Sequence, residues 1–212
     1  MMLRFYQNDI LDALHTSLVL SNISTATNIR KQVHAPTGAG KTVMFIRLIA
    51  DYIERLRSFS NVALGKALKI VVVYPRIALS QEQQDRFRDI LSKLVNQTIH
   101  YTNFHSGRMK AVRGKKLTEV STTSTSTLDR VFSDHPTSAH IVFTTYKSLN
   151  HLKTVPVDLI VCDEAHNLSG GAENNAVEGL NSRLTVFFTA TPTGRRIAVS
   201  DAADTSNTMS NS

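Results

Sequence analysis

The sequence has a single cysteine, an excess of basic over acidic residues, and no long apolar run. Because Cys162 is alone, an internal disulfide is excluded, and no metal-ligand spacing surrounds it. We interpret it as a small apolar residue of a buried strand in a reducing compartment. Apolar stretches such as residues 70–74 are too short to cross a bilayer, and residues 1–10 lack the apolar core of a signal peptide. We therefore expect an intracellular protein, cytoplasmic or nuclear, that is not secreted and has no membrane partner.

The deficit of acidic residues makes the chain basic. Lysine and arginine number 24 against 17 acidic residues, which gives a formal net charge of +7 and a pI of about 9.7. A positive charge favours a polyanionic partner over an acidic protein. Many basic proteins never bind nucleic acid, so this inference depends on the motifs.

Segments of helical periodicity alternate with short β-branched runs. Helical spacing relates three sets of apolar residues: Ile10, Leu11, Leu14 and Leu18; Phe45, Leu48, Ile49, Tyr52 and Leu56; Phe87, Ile90, Leu91, Leu94 and Val95. Strands are predicted at residues 30–35, 67–75, 140–145, 158–163 and 184–189. Strands separated by helices imply right-handed crossovers. We therefore predict an α/β fold with a mostly parallel sheet flanked by helices.

The length and composition fit one folded domain, which we place at residues 1–197. Residues 105–138 contain a basic run followed by a Ser/Thr-rich stretch, and we interpret them as an insertion or long surface loop with room for a short helix. Whether the basic run extends a nucleic-acid surface or is simply solvated stays open. Residues 198–212 have almost nothing to bury, and we expect a disordered tail.

A phosphate-binding turn is predicted where HAPTGAGKT separates a candidate strand from a helix. Glycines let several backbone N–H groups point at one anion, and the helix adds its positive dipole end. Lys41 can reach the β- and γ-phosphates of a nucleotide, and the Thr42 hydroxyl can ligate Mg²⁺. The strict pattern begins with glycine, but Ala35 occupies that place. The alternative is a glycine-rich turn that caps a helix without a ligand. The candidate nucleotide-binding residues of this turn are Pro36, Thr37, Gly38, Ala39, Gly40, Lys41 and Thr42.

Two carboxylates and a histidine follow the apolar run that ends at Cys162. Because ligands of a parallel sheet bind outside the carboxyl ends of its strands, we expect Asp163 and Glu164 on the same edge as the phosphate turn. There Asp163 can hold hydrated Mg²⁺, and Glu164 can orient and deprotonate an attacking water. An exposed acidic turn is the alternative. His166 lacks partners for zinc, and it is either a hydrogen-bonding link to the next strand or a structural histidine.

These motifs, in this order, resemble those of the superfamily 2 helicases and translocases. They are most similar to the first RecA-like domain of the DEAH-type group, in the branch of the restriction enzymes and repair helicases. The segments that carry the resemblance are LRFYQ (3–7), APTGAGKT (35–42), VVYPRIALSQEQ (72–83), FTTYKSL (143–149), DEAH (163–166) and TAT (189–191). They cover residues 3 to 193, nearly all of the chain that we expect to fold.

The resemblance implies ATP and Mg²⁺ as cofactors and nucleic acid as the partner, with DNA favoured over RNA. It implies that Gln7 contacts the adenine edge, although Phe5 replaces the commoner proline. The residues implied in hydrolysis are Lys41, Asp163, Glu164 and His166. The residues implied in phosphate-backbone contacts are Arg76 and Thr144, followed by Thr145, Tyr146 and Lys147. Thr189 and Thr191 would pair with His166 and couple the nucleotide state to the strand-binding surface.

The family's motor has two RecA-like domains, and the second supplies arginines that stabilise the transferring phosphoryl group. We find no second RecA-like domain after residue 197, and Arg195 and Arg196 are poor substitutes for those arginines. We therefore expect an N-terminal ATPase half that does not unwind duplex alone and that acts with a separate C-terminal half. The alternative is a stand-alone nucleotide or nucleic-acid binding module in which catalysis has lapsed. A small-molecule kinase would leave LRFYQ, DEAH and TAT unexplained.

Overall fold

A mostly parallel sheet organises the chain. The computed structural model describes residues 3–23, 29–59, 67–105, 120–165, 177, 179–190 and 198–201. Within them the strands are β1 (Ile29–His34), β2 (Leu68–Tyr74), β3 (Ile99–Phe104), β4 (Val120–Thr122), β5 (Ala139–Thr145), β6 (Val157–Cys162), β7 (Ser182–Thr189) and β8 (Ala198–Asp201). The helices are α1 (Phe5–Ile23), α2 (Lys41–Phe59), α3 (Ile77–Leu94), α4 (Thr125–Asp134) and a 3-10 helix (Tyr146–Leu152).

The described strands are ordered β4-β3-β5-β2-β6-β7-β1-β8 across the sheet. The neighbouring pairs from β4 to β1 are parallel, and β8 is antiparallel to β1. The predicted α/β fold with a mostly parallel sheet is therefore confirmed. The carboxyl ends of β1, β2, β5, β6 and β7 consequently meet at one edge.

Alternation along each strand divides the core between the two faces of the sheet. In β2, Ile70, Val72 and Tyr74 pack with α1, α2 and α3, whereas Val71 and Val73 pack on the opposite face. The opposite face is covered by α4, through Leu128 and Phe132, and by the 3-10 helix. Both faces are buried, which explains why the strand sequences are nearly continuous apolar runs rather than alternating ones.

The three helices predicted from apolar spacing correspond to α1, α2 and α3. The buried members of their predicted stripes are Ile10, Leu11, Leu14, Phe45, Leu48, Ile49, Tyr52, Phe87, Leu91 and Val95. Ile90 and Leu94 are partly buried, and the side chains of Leu18 and Leu56 lie outside the described residues. Cys162 is buried in the core of the opposite face, as predicted. No helix among the described residues has the length and apolar character needed to span a membrane.

Strand β3 was not predicted, because its sequence is polar. Its residues Thr102 and Asn103 are nevertheless buried. The Asn103 side chain exchanges hydrogen bonds with the amide of Gln84 on α3, one of them with Asn103 Nδ2 donating to Gln84 Oε1 at 3.3 Å. Paired amides satisfy each other's polar groups, which makes their burial tolerable. Such a pairing between distant residues leaves no periodic signal.

The segment at 105–138 is partly regular rather than one long loop. It contains β4 and α4, and α4 is the short helix for which we left room. The helix begins after Ser124, whose side chain accepts a hydrogen bond from the Thr127 amide at 3.4 Å. The basic run at 106–119 lies outside the described residues.

Residues 198–201 form β8, where we expected a tail to begin. These four residues pair with Lys31–His34 of β1. Backbone hydrogen bonding to a sheet edge requires no apolar side chains, so a segment with little to bury still forms a strand. Residues 202–212 lie outside the described residues.

Three histidines stack beside α4. The rings of His100 and His135 are 3.8 Å apart and those of His100 and His140 are 5.3 Å apart. His140 is fully buried, and its Nε2–H donates to the carbonyl of His135 at 2.9 Å, which leaves Nδ1 unprotonated. Burial lowers the pKa of His140, the bond to the His135 carbonyl opposes this, and the nearby His100, His135 and Lys69 lower the pKa further.

We predict that this cluster makes the fold sensitive to acid. Because the folded-state pKa of His140 lies below the unfolded value of about 6.5, the unfolded chain binds protons preferentially as the pH falls through that value. The free energy of unfolding should therefore be highest above pH 6.5 and fall below it. Substitution His140→Gln keeps an N–H donor for His135 and should reduce this loss between pH 7 and pH 5, measured by urea denaturation.

The matched control is His151→Gln, which changes an exposed histidine. It should leave the slope of stability against pH unchanged. An equal slope in the His140 variant and the parent protein would contradict the prediction.

Candidate nucleotide site

The turn from β1 to α2 curls because two glycines adopt positive φ angles. Gly38 has φ of +81° and Gly40 of +80°, the left-handed region that other residues rarely adopt. The turn is anchored by the Ala35 amide, which donates to the carbonyl of Thr189 on β7 at 2.9 Å. Ala35 is fully buried and is not among the positive-φ residues, so glycine is not required there. This explains how the chain departs from the strict pattern without losing the turn.

The start of α1 holds the turn from the other side. Gln7 is buried, and its Nε2 donates to the carbonyl of Ala39 at 2.9 Å, while its Oε1 accepts from the Arg4 amide at 2.9 Å. The Tyr6 hydroxyl donates to the same Ala39 carbonyl at 3.1 Å. A Cβ on Gly40 would lie 2.6 Å from Gln7 Nε2, so this approach needs glycine. The sequence pointed to Gln7 but not to Tyr6, although the two are adjacent.

The carboxylate pair follows β6 in a tightly held turn. The Asp163 amide donates to the carbonyl of Val73 on β2 at 2.9 Å, and the Glu164 amide donates to Asp163 Oδ1 at 3.0 Å. Among the described residues, Glu164 is the one non-glycine residue with a positive φ, at 50°. A non-glycine residue with such a backbone costs free energy, which the surrounding structure must offset. Residues of this kind cluster at functional sites.

The phosphate turn and the carboxylate pair meet. Lys41 Nζ lies 3.3 Å from Glu164 Oε1, with side-chain exposures of 8% and 28%. Asp163, which directly precedes Glu164, is buried at the end of β6. A buried ammonium group is costly without a counter-charge, and Glu164 supplies one. Lys41, Asp163 and Glu164 therefore lie at one edge of the sheet, where we expected them.

The residues expected to touch nucleic acid are not all accessible. Arg76 and Lys147 are exposed. Thr144 is fully buried, and its hydroxyl donates to the carbonyl of Phe104 at 2.7 Å. Thr145 and Tyr146 are also buried, which differs from our expectation because the segment turns inward as it leaves β5. Their side chains are committed to contacts within the protein.

The structure describes some of the residues expected to couple the nucleotide site to the nucleic-acid surface. Thr189 is buried, and its carbonyl accepts the hydrogen bond from Ala35 that anchors the phosphate turn. Its hydroxyl donates to the carbonyl of Ala190 at 3.4 Å. His166 and Thr191 lie outside the described residues, so their pairing with Thr189 stays a prediction.

The donor chemistry of this edge fits a nucleotide with Mg²⁺. A hydroxyl from Thr42 and a carboxylate from Asp163 are the hard oxygen ligands that Mg²⁺ prefers. Among the described residues there is no group of three or more His, Cys, Asp or Glu side chains that could hold a metal. Magnesium usually keeps several waters and binds through one or two protein ligands plus phosphates, so a sparse set of ligands agrees with it.

A cleft of about 670 Å³ lies elsewhere, among α3, β3 and α4. Its lining includes Arg88, Tyr101 and the stacked pair His100 and His135. None of its lining residues belongs to the phosphate turn or the carboxylate pair, so we do not associate it with the nucleotide.

Two solved structures share the fold over nearly the whole chain. A nuclease-deletion mutant of the Type ISP restriction-modification enzyme LlaGI, in complex with a DNA substrate mimic, has a TM-score of 0.63 and 21% identity over 96% of this chain. The SWI2/SNF2 ATPase core of Sulfolobus solfataricus, in complex with dsDNA, has a TM-score of 0.53 and 22% identity over 91% of it. The chain spans 19% of the first protein and 32% of the second. No curated protein matches the sequence.

The sequence profile of the family described as "Type III restriction enzyme, res subunit" matches residues 1–194. The match contains the phosphate turn, the carboxylate pair and β7. The chain therefore belongs to this family, and it is the N-terminal RecA-like ATPase domain of a superfamily 2 helicase-type protein.

Proposed function

We propose that this domain binds ATP and Mg²⁺ at the phosphate turn and hydrolyses ATP in response to nucleic acid, with DNA favoured over RNA. The observation that carries the proposal is the 3.3 Å contact between Lys41 and Glu164. It joins a lysine at the start of α2 to a carboxylate at the end of β6, beside a turn whose glycines open backbone N–H groups to an anion. The DNA in the complexes of LlaGI and of the SWI2/SNF2 core supports the preference for DNA.

In this proposal Lys41 exchanges its carboxylate partner for the β- and γ-phosphates when ATP binds. Glu164 is then released to accept a proton from the attacking water. Thr42 and Asp163 would hold Mg²⁺, which when bound neutralises charge on the phosphates. The nucleotide would also contact Pro36, Thr37, Gly38, Ala39 and Gly40 of the turn.

Gln7 would contact the adenine edge. Among the described residues, one amide hydrogen of Gln7 is used by Ala39 and one oxygen lone pair by Arg4, which leaves one of each for the adenine edge. The roles of Thr189 and Thr191 in coupling, and of His166 as their partner, carry over from the family resemblance.

We predict that Glu164→Gln lowers single-turnover hydrolysis of ATP by about 10²- to 10⁴-fold, the usual contribution of a general base. Nucleotide affinity should be kept or raised, because Lys41 loses its competing carboxylate. Hydrolysis is measured with and without single- and double-stranded DNA and RNA, and affinity with a fluorescent ATP analogue. Asp129→Asn, on an exposed residue of α4, is the control. Unchanged hydrolysis in the Glu164 variant would show that Glu164 is not the general base.

Nucleic acid would bind along the edge where Arg76 and Lys147 are exposed. Tyr74 of β2 is paired in register with Thr145 of β5. Arg76 lies two residues after Tyr74, and Lys147 lies two residues after Thr145. Two exposed cations that follow neighbouring strands suit the phosphates of one backbone, which they would contact without regard to sequence.

We predict that the double variant Arg76→Gln and Lys147→Gln weakens DNA binding and makes it less sensitive to salt. Each lost phosphate contact should reduce the slope of log affinity against log salt by about 0.9 for duplex DNA. Binding is measured by fluorescence anisotropy at several salt concentrations. The double variant Lys93→Gln and Arg130→Gln removes the same charge from exposed residues of α3 and α4. An equal change of slope in both variants would mean that overall charge, not this edge, binds the DNA.

The proposed motor requires a second RecA-like domain that would provide arginines for hydrolysis. We predict that adding a C-terminal helicase half of this family raises DNA-stimulated hydrolysis by about 10³-fold or more, the range of an arginine finger. Adding it to the Glu164→Gln variant is the control and should give no rise. If neither preparation responds although ATP binds, the stand-alone binding module would be the better description.

A further inference from the structure

Tyr146 connects two strand ends that are not neighbours. It is the first residue of the 3-10 helix after β5, and 3% of its surface is exposed. Its hydroxyl donates to the carbonyl of Asp163 at 2.7 Å, at the end of β6. In the sheet β2 lies between β5 and β6, so their ends are about 10 Å apart and no ladder of backbone hydrogen bonds joins them. The phenol side chain spans this distance.

The hydrogen bond fixes the peptide group that sets the backbone of Glu164. One end of the Asp163–Glu164 peptide, the carbonyl oxygen, accepts from Tyr146. The other end, the Glu164 amide, donates to Asp163 Oδ1 at 3.0 Å. With both ends held, the plane of this peptide is fixed. The φ angle of Glu164, 50°, is the rotation about the N–Cα bond that follows the plane. Tyr146 therefore acts on the direction in which the Glu164 side chain leaves the backbone.

The hydroxyl of Tyr146 is a permanent donor. A carbonyl oxygen can only accept, so the phenol must keep its proton to make this bond. Burial raises the pKa of Tyr146 well above its ordinary value, and the nearby Cys162 and Asp163 raise it further. The raised pKa favours the protonated phenol that this hydrogen bond requires.

The same residue adjoins the edge that we propose for nucleic acid. Tyr146 is directly followed by the exposed Lys147, and both belong to the 3-10 helix. A displacement of this helix by a phosphate backbone at Lys147 would move the phenol ring and, with it, the carbonyl of Asp163. The hydrogen bond of 2.7 Å joins the phenol to this carbonyl directly.

We propose that Tyr146 is a positioning residue for hydrolysis. It holds the Asp163–Glu164 peptide and makes the hydrolysis of ATP that nucleic acid stimulates depend on the 3-10 helix. The inference rests on the proposed function of Glu164 as the base. It differs from our first assignment of Tyr146, because the side chain acts inside the protein and not on the phosphate backbone.

The test is Tyr146→Phe in the full chain, with DNA present and hydrolysis measured in a single turnover. The loss of one hydrogen bond should lower the hydrolysis rate by about tenfold, while nucleotide affinity changes by less than about twofold. The smaller effect on affinity follows because Lys41 and the glycine turn are untouched. Amide exchange at Glu164, measured by hydrogen-deuterium exchange, should become faster.

Tyr74→Phe is the matched control. Tyr74 is fully buried at the end of β2, and its hydroxyl has no hydrogen-bond partner among the described residues. Burial raises the pKa of Tyr74, and the charge of Asp163 raises it further. The same chemical change there should alter neither the hydrolysis rate nor the exchange of Glu164. Equal effects of the two substitutions would overturn the inference, since a buried hydroxyl in general would then be responsible.

A double-mutant cycle separates positioning from a general structural effect. If Tyr146 acts through Glu164, Tyr146→Phe should lower hydrolysis no further in a Glu164→Gln background. Additive losses would overturn the inference. If Glu164→Gln alone leaves hydrolysis unchanged, the proposed function fails. Faster exchange at Glu164 in Tyr146→Phe, but not in Tyr74→Phe, would still support the positioning of the peptide, and its absence would overturn it.

Two substitutions that fill the same space serve if Tyr146→Phe does not fold. Tyr146→4-aminophenylalanine keeps an N–H donor and should retain hydrolysis, whereas Tyr146→4-fluorophenylalanine has no donor and should lose it. Equal hydrolysis in both would overturn the inference.

Discussion

The contact between Lys41 and Glu164, 3.3 Å long, depends on the common direction of the strands that carry it. Lys41 follows β1 and Glu164 follows β6, and β7 lies between these strands in the sheet. Because all three run in parallel, their carboxyl ends meet at one edge. The carbonyl of Thr189, at the end of β7, completes the connection by accepting the Ala35 amide. A reversed strand would have moved one charge to the far edge and left the other buried without a counter-charge.

Hydrogen bonds from outside these strands then determine the shape of the site. Gln7 and Tyr6 of α1 hold the carbonyl of Ala39, and Tyr146 holds the carbonyl of Asp163. In each case a side chain from another part of the chain holds a backbone oxygen of the loop. At Glu164 the backbone is left-handed, a conformation that isolated non-glycine residues rarely adopt. Hydrogen bonds within the protein therefore set the positions of these two loops.

The electrostatics of the site fit the family to which the domain belongs. The ammonium group of Lys41 is 8% exposed and needs a neighbouring anion, which Glu164 provides. In the proposed function, phosphate oxygens would take over this role, and the carboxylate would then be free to act on water. The same pair of charges would thus serve stability in one state and hydrolysis in the other, which agrees with the family to which residues 1–194 belong.

Local patterns in the sequence determined the order of the main elements, the parallel sheet, and the edge at which Lys41, Asp163 and Glu164 meet. These features follow from apolar periodicity and glycine content, which act between near neighbours along the chain. The pattern could not show β3 or β8, because one depends on the amide pair of Gln84 and Asn103 and the other on backbone pairing alone. The family resemblance implied that Thr144, Thr145 and Tyr146 contact a phosphate backbone, but it could not show that tertiary packing buries their side chains. Only the three-dimensional structure could decide where the Tyr146 hydroxyl finds its acceptor, since Asp163 is 17 residues away along the chain and a buried donor bonds to whichever acceptor the packing brings to it.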